Sequence, residues 1–298
     1  MRNRDDFSSL HPLVNFLFFA LVIGFSMFLL HPVSLTASLL GAAAYLLNLN
    51  GKKSLRPVLG FLLPMAGMAA LLNPAFNHEG TTILCYLPSG NPLTLESILY
   101  GLAAAVMLAA VVLWFSCYTA VMTSDKFVYL FGRLIPALSL VLSMTLRFVP
   151  KFRAQLSVVS DAQKCVGRGV SEGSGIQRIR NAVTIFSILL TWALENAVET
   201  ADSMRSRGYG LPGRTAFSIY RLDERDRGAL GWLAFCGLYL LSGWAAGALD
   251  FRYYPAVKGA ELTPLAVSFQ LAYAALCLTP VIFNITEDRK WKKSRSGL

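Results

Sequence analysis

Apolar side chains fill the chain from Pro12 to Leu49 almost without interruption, and the one break, His31-Pro32, falls where two helices of membrane-spanning length would meet in a tight turn. The run is too long for the apolar core of a signal peptide, and another apolar segment follows at once, so a retained helical hairpin is expected. Pro57 to Leu72, interrupted by Pro64, and Ile98 to Met122 continue the pattern, as do Gly228 to Leu249 and Leu265 to Ile285. The reading is an all-α polytopic membrane protein with about six transmembrane segments. Between the third and fourth segments, Asn73 to Ser97 contains no Lys or Arg, which marks it as the outer loop. Inside that loop, Thr81–Leu87 and Leu93–Leu95 flank Pro88-Ser-Gly-Asn-Pro92, the pattern of a small extracellular β-hairpin around a glycine-containing turn.

Composition sharpens this picture. The 298 residues are 55% hydrophobic and 15% charged, with a mean hydropathy of +0.52, too apolar for a soluble domain of ordinary composition. The formal net charge of +10 sits on Lys and Arg that avoid the apolar runs, so it describes cytoplasmic loops and no nucleic-acid partner. Lys52, Lys53 and Arg56 place the loop after the second segment, and with it the N-terminus, in the cytoplasm. The basic tail Arg289-Lys-Trp-Lys-Lys293 returns there, while Arg252 and Lys258 in the last outer loop are balanced by Asp250 and Glu261. A cell-membrane protein with both termini cytoplasmic is expected. About fifteen of the 27 Lys and Arg lie between Ser124 and Arg227, which divides the chain into membrane segments at 1–123, a cytoplasmic or interfacial module at 124–227, and membrane segments with the basic tail at 228–298. Leu134–Leu146 and Ala182–Leu194 in the module are short for full crossings and suit helices lying partly in the membrane or against neighbours. The five cysteines show no C-x-x-C pair and read as small core residues.

The module contains two amphipathic helical patterns, each ending in glycine. One begins at Pro150 and stops at Gly167, with Phe152, Leu156, Val159 and Val166 as its apolar stripe and Arg153, Ser157, Ser160 and Lys164 as a basic one. The other stops at Gly208, with Leu194, Ala197, Val198, Ala201 and Met204 on a face expected to be buried, and Glu195, Glu199 and Asp202 on another. Arg207 lies on neither stripe. By pattern alone, lipid-headgroup contact and protein docking fit these cations equally, and Arg207 could serve only the helix dipole.

Catalytic signatures are missing. No G-x-x-x-x-G-K-[ST] loop occurs, so the chain has no means of its own to cradle nucleotide phosphates, and it reads as a non-enzyme. His11, His31 and His78 are far apart, the first two beside proline at segment ends, where a turn role outweighs metal ligation. No catalytic residue, metal ligand or cofactor is expected. The alternative is a membrane-embedded enzyme acting on lipid or a small substrate through Asp125, Glu195, Glu199 and Asp202, which would require those acids to converge in a pocket. Gly243-Trp-Ala-Ala-Gly247 fits small-x-x-x-small packing and more often marks ordinary helix contact than a dimer face.

Ser143-Met-Thr-Leu-Arg-Phe-Val-Pro150, Asp161-Ala-Gln-Lys164 and Ala201-Asp-Ser-Met-Arg-Ser-Arg-Gly-Tyr209 resemble, in order and spacing, the transmembrane T component (EcfT/CbiQ-like) of energy-coupling factor transporters. The resemblance covers essentially the whole chain. It implies two long coupling helices closed by Ala-Arg-Gly-like tripeptides that insert into grooves on two cytoplasmic ABC-type ATPase subunits. It further implies that their apolar faces hold a small membrane substrate-binding (S) subunit, which captures a vitamin or a transition-metal ion. Ser206-Arg207-Gly208 matches the second tripeptide, with Ser for Ala. The first aligns with Ala162-Gln-Lys-Cys-Val-Gly167, so Val166 stands where arginine is expected; either Lys164 or Arg168 would supply the charge, preferably Arg168, which lies beyond the helix end, or the first helix would dock mainly by shape. Leu156, Val159, Val198 and Ala201 are the implied S-subunit contacts.

Overall fold

The computed structural model describes residues 5–77, 79–86, 92–132, 136–209, 211, 220–259 and 263–296. In chain order the elements are α1 (Pro12–Phe28), α2 (Pro32–Asn50), α3 (Lys52–Phe76), β1 (Ile83–Tyr86), β2 (Pro92–Thr94), α4 (Leu95–Val121), α5 (Ser124–Gly132), α6 (Pro136–Cys165), α7 (Gly175–Ser206), α8 (Glu224–Ala245), β3 (Phe251–Arg252), β4 (Lys258–Gly259) and α9 (Pro264–Ser296). Helix dominates because a backbone in hydrocarbon must satisfy its own N–H and C=O groups. The chain divides into two compact units, residues 1–123 with 220–298, and residues 124–219.

In the first unit, helix starts follow from local chemistry. The ring nitrogens of His11 and His31 accept the N–H groups of Leu13 and Val33, each at 3.2 Å, and Pro12 and Pro32 occupy first-turn positions where no N–H is needed. His78 lies outside the described residues. Val14, Phe18 and Val22 carry α1 through the middle of the core, where Phe18 meets Trp114 of α4 edge-on at 5.7 Å. The Trp114 indole N–H donates to Ser38 Oγ at 3.0 Å, and Ser26 hydrogen-bonds both Ser38 (2.7 Å) and the Tyr273 hydroxyl (2.8 Å). This buried chain satisfies its polar atoms and joins α1, α2, α4 and α9. The segment before α1 is also anchored: Asp5 accepts from Tyr45 Oη (3.1 Å) and Asn284 Nδ2 (2.7 Å), and Phe7 N–H donates to Asn284 Oδ1 (3.0 Å).

Gly243 packs face-on against the Phe269 ring of α9, where a Cβ would come within 2.7 Å, while Gly247 at φ +70° closes α8. The first glycine of the small-x-x-x-small motif is therefore consumed by contact within the chain, while a Cβ at Gly247 would meet nothing within 4 Å. On the β1–β2 hairpin, Ile83 pairs with Thr94 and Tyr86 with Pro92; Leu87 and residues 88–91 of the expected turn lie outside the described residues. Buried Glu96 in the first turn of α4 ties the hairpin down, accepting from Thr81 Oγ1 (3.0 Å) and Thr82 Oγ1 (2.9 Å). Between α8 and α9, Arg252 pairs with Asp250 at 3.1 Å as charge balance suggested; Glu261 lies outside the described residues.

Five described helical stretches are long and apolar enough to cross a membrane: Pro32–Leu49, Leu95–Val121, Gly175–Ser206, Glu224–Ala245 and Pro264–Trp291. Pro12–Phe28 and Leu62–Phe76 are shorter apolar helices. The third of the five absorbs the patch at Ala182–Leu194, which by sequence looked short, because helix extends well past the patch on both sides.

The second unit is α5 and a pair of long helices. The first of the pair, α6, begins at Pro136 and not at the expected Pro150, which lies inside it. A proline there removes one backbone donor and costs about 3 kcal/mol in an unsupported helix. Support comes from Phe152, two residues further on, which stacks edge-on against Trp192 of α7 at 5.5 Å, and from Lys151 beside it, whose ammonium donates to Asn196 Oδ1 at 2.7 Å and lies 5.3 Å from the Trp192 ring centre.

Candidate docking site

Both long helices of the second unit stop in the same way. Gly167 follows α6 at φ +73°; its N–H donates to the Lys164 carbonyl (2.9 Å) and the Arg168 N–H to the Gln163 carbonyl (2.8 Å). Gly208 follows α7 at φ +73°; its N–H donates to the Arg205 carbonyl (3.0 Å) and the Tyr209 N–H to the Met204 carbonyl (3.0 Å). Each pair of bonds is a Schellman closure, which needs a residue in the left-handed region and therefore favours glycine. The closures superimpose the two motifs residue for residue. Val166 holds the cap position that Arg207 holds on α7, Lys164 corresponds to Arg205, and Arg168 corresponds to Tyr209.

The charges differ accordingly. Arg207 is exposed, and nothing among the described residues pairs with its guanidinium. Ser206 turns its hydroxyl back to the Ser203 carbonyl at 2.9 Å, leaving the arginine as the outward group of its tripeptide. At the other end, Lys164 is held by Asp161 at 3.3 Å, while Arg168 is exposed past the cap with no partner among the described residues.

The helices run antiparallel. Lys151 and Phe152 lie beside Asn196 and Trp192, whereas Asn181, near the start of α7, donates from Nδ2 to the Gly169 carbonyl at 3.0 Å, just beyond the end of α6. The two caps therefore point to opposite ends of the pair. About 15 residues separate the Phe152–Trp192 contact from each cap, so at 1.5 Å per residue the caps stand up to about 45 Å apart.

One expectation is overturned here. The stripe of Leu194, Ala197, Val198 and Ala201 is not buried: Leu194 is 62% and Val198 64% exposed, and Ala197 and Ala201 are exposed as well. Packing against α6 uses the neighbouring face, through Trp192 and Asn196, and this leaves the more apolar stripe uncovered. It continues towards the start of α7 through Ile179, Val183, Phe186 and Leu190, all exposed. On α6, Leu156 and Phe152 are exposed, but Val159, at 9%, is packed inside the unit and presents little surface. Glu195, Glu199 and Asp202 are exposed along α7, Asp125 is exposed on α5, and among the described residues no three His, Cys, Asp or Glu side chains gather as metal ligands.

These features define an all-α, multi-pass membrane protein bearing a long helix pair whose capped ends and apolar stripe are uncovered. The cobalt transport protein family (CbiQ) matches residues 7–217, and the chain belongs to that family, the transmembrane T components of energy-coupling factor transporters. It is similar to the energy-coupling factor transporter transmembrane protein EcfT of Lacticaseibacillus paracasei, 34% identical over 110 residues, which cover 37% of this chain and 40% of that protein. EcfT of Streptococcus thermophilus is 34% identical over 110 residues (36% and 41%), and EcfT of Lactococcus lactis subsp. cremoris is 33% identical over 90 (30% and 34%). The chain thus spans about two fifths or less of the length of these curated relatives.

Proposed function

We propose that this chain is the coupling subunit of an energy-coupling factor importer, joining two cytoplasmic ABC-type ATPase subunits to a small membrane S subunit for uptake of a vitamin or transition-metal ion. It performs no catalytic step. The observation that carries the reading is the pair of matching glycine closures at opposite ends of one antiparallel helix pair, since two separated, similar ends suit two separated, similar grooves. In this reading Arg207, with Ser206 and Gly208, enters one ATPase, and Gly167 with Arg168 and Lys164 meets the other. The exposed stripe with Val198 and Ala201, and Leu156 on α6, holds the S subunit, with Val159 supporting that face from beneath.

The mechanism is mechanical. ATP binding and hydrolysis change the separation of the two grooves, the helix pair passes that change on, and the S subunit toggles orientation in the bilayer. A largely apolar contact suits a partner that must slide, because it has no fixed hydrogen bonds to break at each cycle. In this reading both termini are cytoplasmic, and residues 124–227 form a cytoplasmic or interfacial module.

Affinity purification of the tagged chain from its native host, followed by mass spectrometry, tests the assignment. Two ATPases and one small membrane protein should co-purify, and any compound retained identifies the substrate. Recovery of the chain with neither ATPase, under detergent conditions that keep known ABC complexes intact, refutes it.

A further inference from the structure

The end of the first unit where α1 and α8 begin and α9 finishes contains a crevice of about 300 Å³, near the lower size limit of small-molecule sites. Its floor is Phe7, Leu10, Val14, Leu233 and Phe283. On its wall, the Trp232 indole N–H donates to Thr279 Oγ1 at 3.2 Å, and the Thr279 hydroxyl donates to the Ala275 carbonyl at 2.9 Å. These polar groups are satisfied within the protein, so the interior favours hydrocarbon.

The mouth is different. Lys290 Nζ lies 2.9 Å and Arg225 Nη1 3.7 Å from the two oxygens of Glu287, so two cations share one carboxylate. The longer distance exceeds a hydrogen bond and leaves the Arg225 donors uncommitted among the described residues. Trp232 is half-exposed at the crevice and Trp291 is exposed next to Lys290, which is the setting indoles prefer where hydrocarbon meets water. An apolar slot opening beneath a net positive rim at that level is complementary to an amphiphile with an anionic head.

We propose that this crevice binds an anionic phospholipid, one acyl chain lying along Phe7, Val14 and Leu233 and the phosphodiester meeting Arg225 and Lys290. The inference rests on the membrane character of the chain and is independent of its coupling role. A zwitterionic lipid brings its own cation to the same rim, and a free phosphate leaves the apolar floor unfilled; both are therefore weaker ligands.

The test uses the full chain, delipidated in detergent and titrated with phosphatidylglycerol or phosphatidylcholine carrying the same brominated acyl chains, with tryptophan quenching as readout. The part of the quenching lost in Trp232→Phe reports the crevice. It should saturate at about ten-fold lower phosphatidylglycerol than phosphatidylcholine, the order expected for two cations near a headgroup with one carboxylate between them. Arg225→Gln with Lys290→Gln should abolish the preference. Glu287→Gln, which removes the competing carboxylate, should increase it, an opposite response that general unfolding does not produce. Ala229→Phe, narrowing the slot with the rim intact, should weaken both lipids. Equal quenching by the two lipids, unmoved by the rim variants, means ordinary annular lipid and overturns the proposal. So does inorganic phosphate competing as well as the lipid, which would make the mouth a simple anion site.

Discussion

Val166 and Arg207 hold the same cap position on two equivalent closures, one apolar and one charged, and that asymmetry makes the arginine the most informative side chain in the molecule. An exposed cation at a helix end contributes roughly 0.3–1 kcal/mol through the dipole, whereas removing one member of a desolvated interface pair costs about 2–5 kcal/mol. The two roles therefore predict different experiments. Arg207→Ala should leave expression and membrane insertion near normal while strongly weakening ATPase attachment or uncoupling hydrolysis from uptake, and Arg207→Glu should do so more severely. Arg205→Ala, two residues earlier, should be milder. Val166→Arg, which restores charge at the matching position, should leave the complex intact or tighten it. Co-purification and uptake assays check each variant; if Arg207→Glu assembles and transports like the parent, its charge serves only the helix dipole. Gly208→Ala is a useful companion, because a Cβ at φ +73° costs about 1–2 kcal/mol locally without touching the guanidinium.

Along the helices, much of the arrangement was readable and some was not, for physical reasons. Glycines 167 and 208 announced their closures because left-handed backbone strongly prefers glycine, and both His-Pro pairs marked helix starts because proline suits the first turn. The stripe at Leu194, Val198 and Ala201 was equally plain, but its burial was not. A face that awaits a separate chain has the same period as one that fills a core, so periodicity locates a stripe without naming what covers it. Pro150 misled in a similar way: proline suits a helix start, and only the contacts of Phe152 with Trp192 and of Lys151 with Asn196 across the pair show why the helix tolerates it in the interior. The exposure difference yields a discriminating set of substitutions. Leu156→Asp or Val198→Asp should release the S subunit while both ATPases remain bound, because these side chains are uncovered in the isolated chain. Val159→Asp buries an unpaired carboxylate and should lower yield and melting temperature instead, losing both partners together. Loss of the ATPases in the first two variants would assign those positions to the fold, not to docking.

Across the whole molecule, the orientation proposed here follows from charge: about fifteen of the 27 Lys and Arg lie within 124–227, and none lies between Asn73 and Ser97. The native cysteines supply a direct test. Cys85, on β1 of the outer hairpin, and Cys165, in the last turn of α6, are exposed, whereas Cys117, Cys236 and Cys277 are buried in the first unit and should resist labelling. With the chain expressed without its partners, a membrane-impermeant maleimide added to right-side-out vesicles should modify one cysteine, and Cys85→Ser should abolish that signal. In inside-out vesicles the modified residue should be Cys165, with Cys165→Ser as the matching control. This reporter pair avoids the turn at Ser89 and Asn91, which lies outside the described residues, and it needs no substitution in the parent chain. Labelling of Cys165 from the outer face would move the end capped by Gly167 away from any cytoplasmic ATPase and so remove that half of the coupling mechanism together with the topology. Labelling of both cysteines from one face would instead require an odd number of changes in the crossings between β1 and α6, leaving the family intact but the path of the chain through the bilayer redrawn.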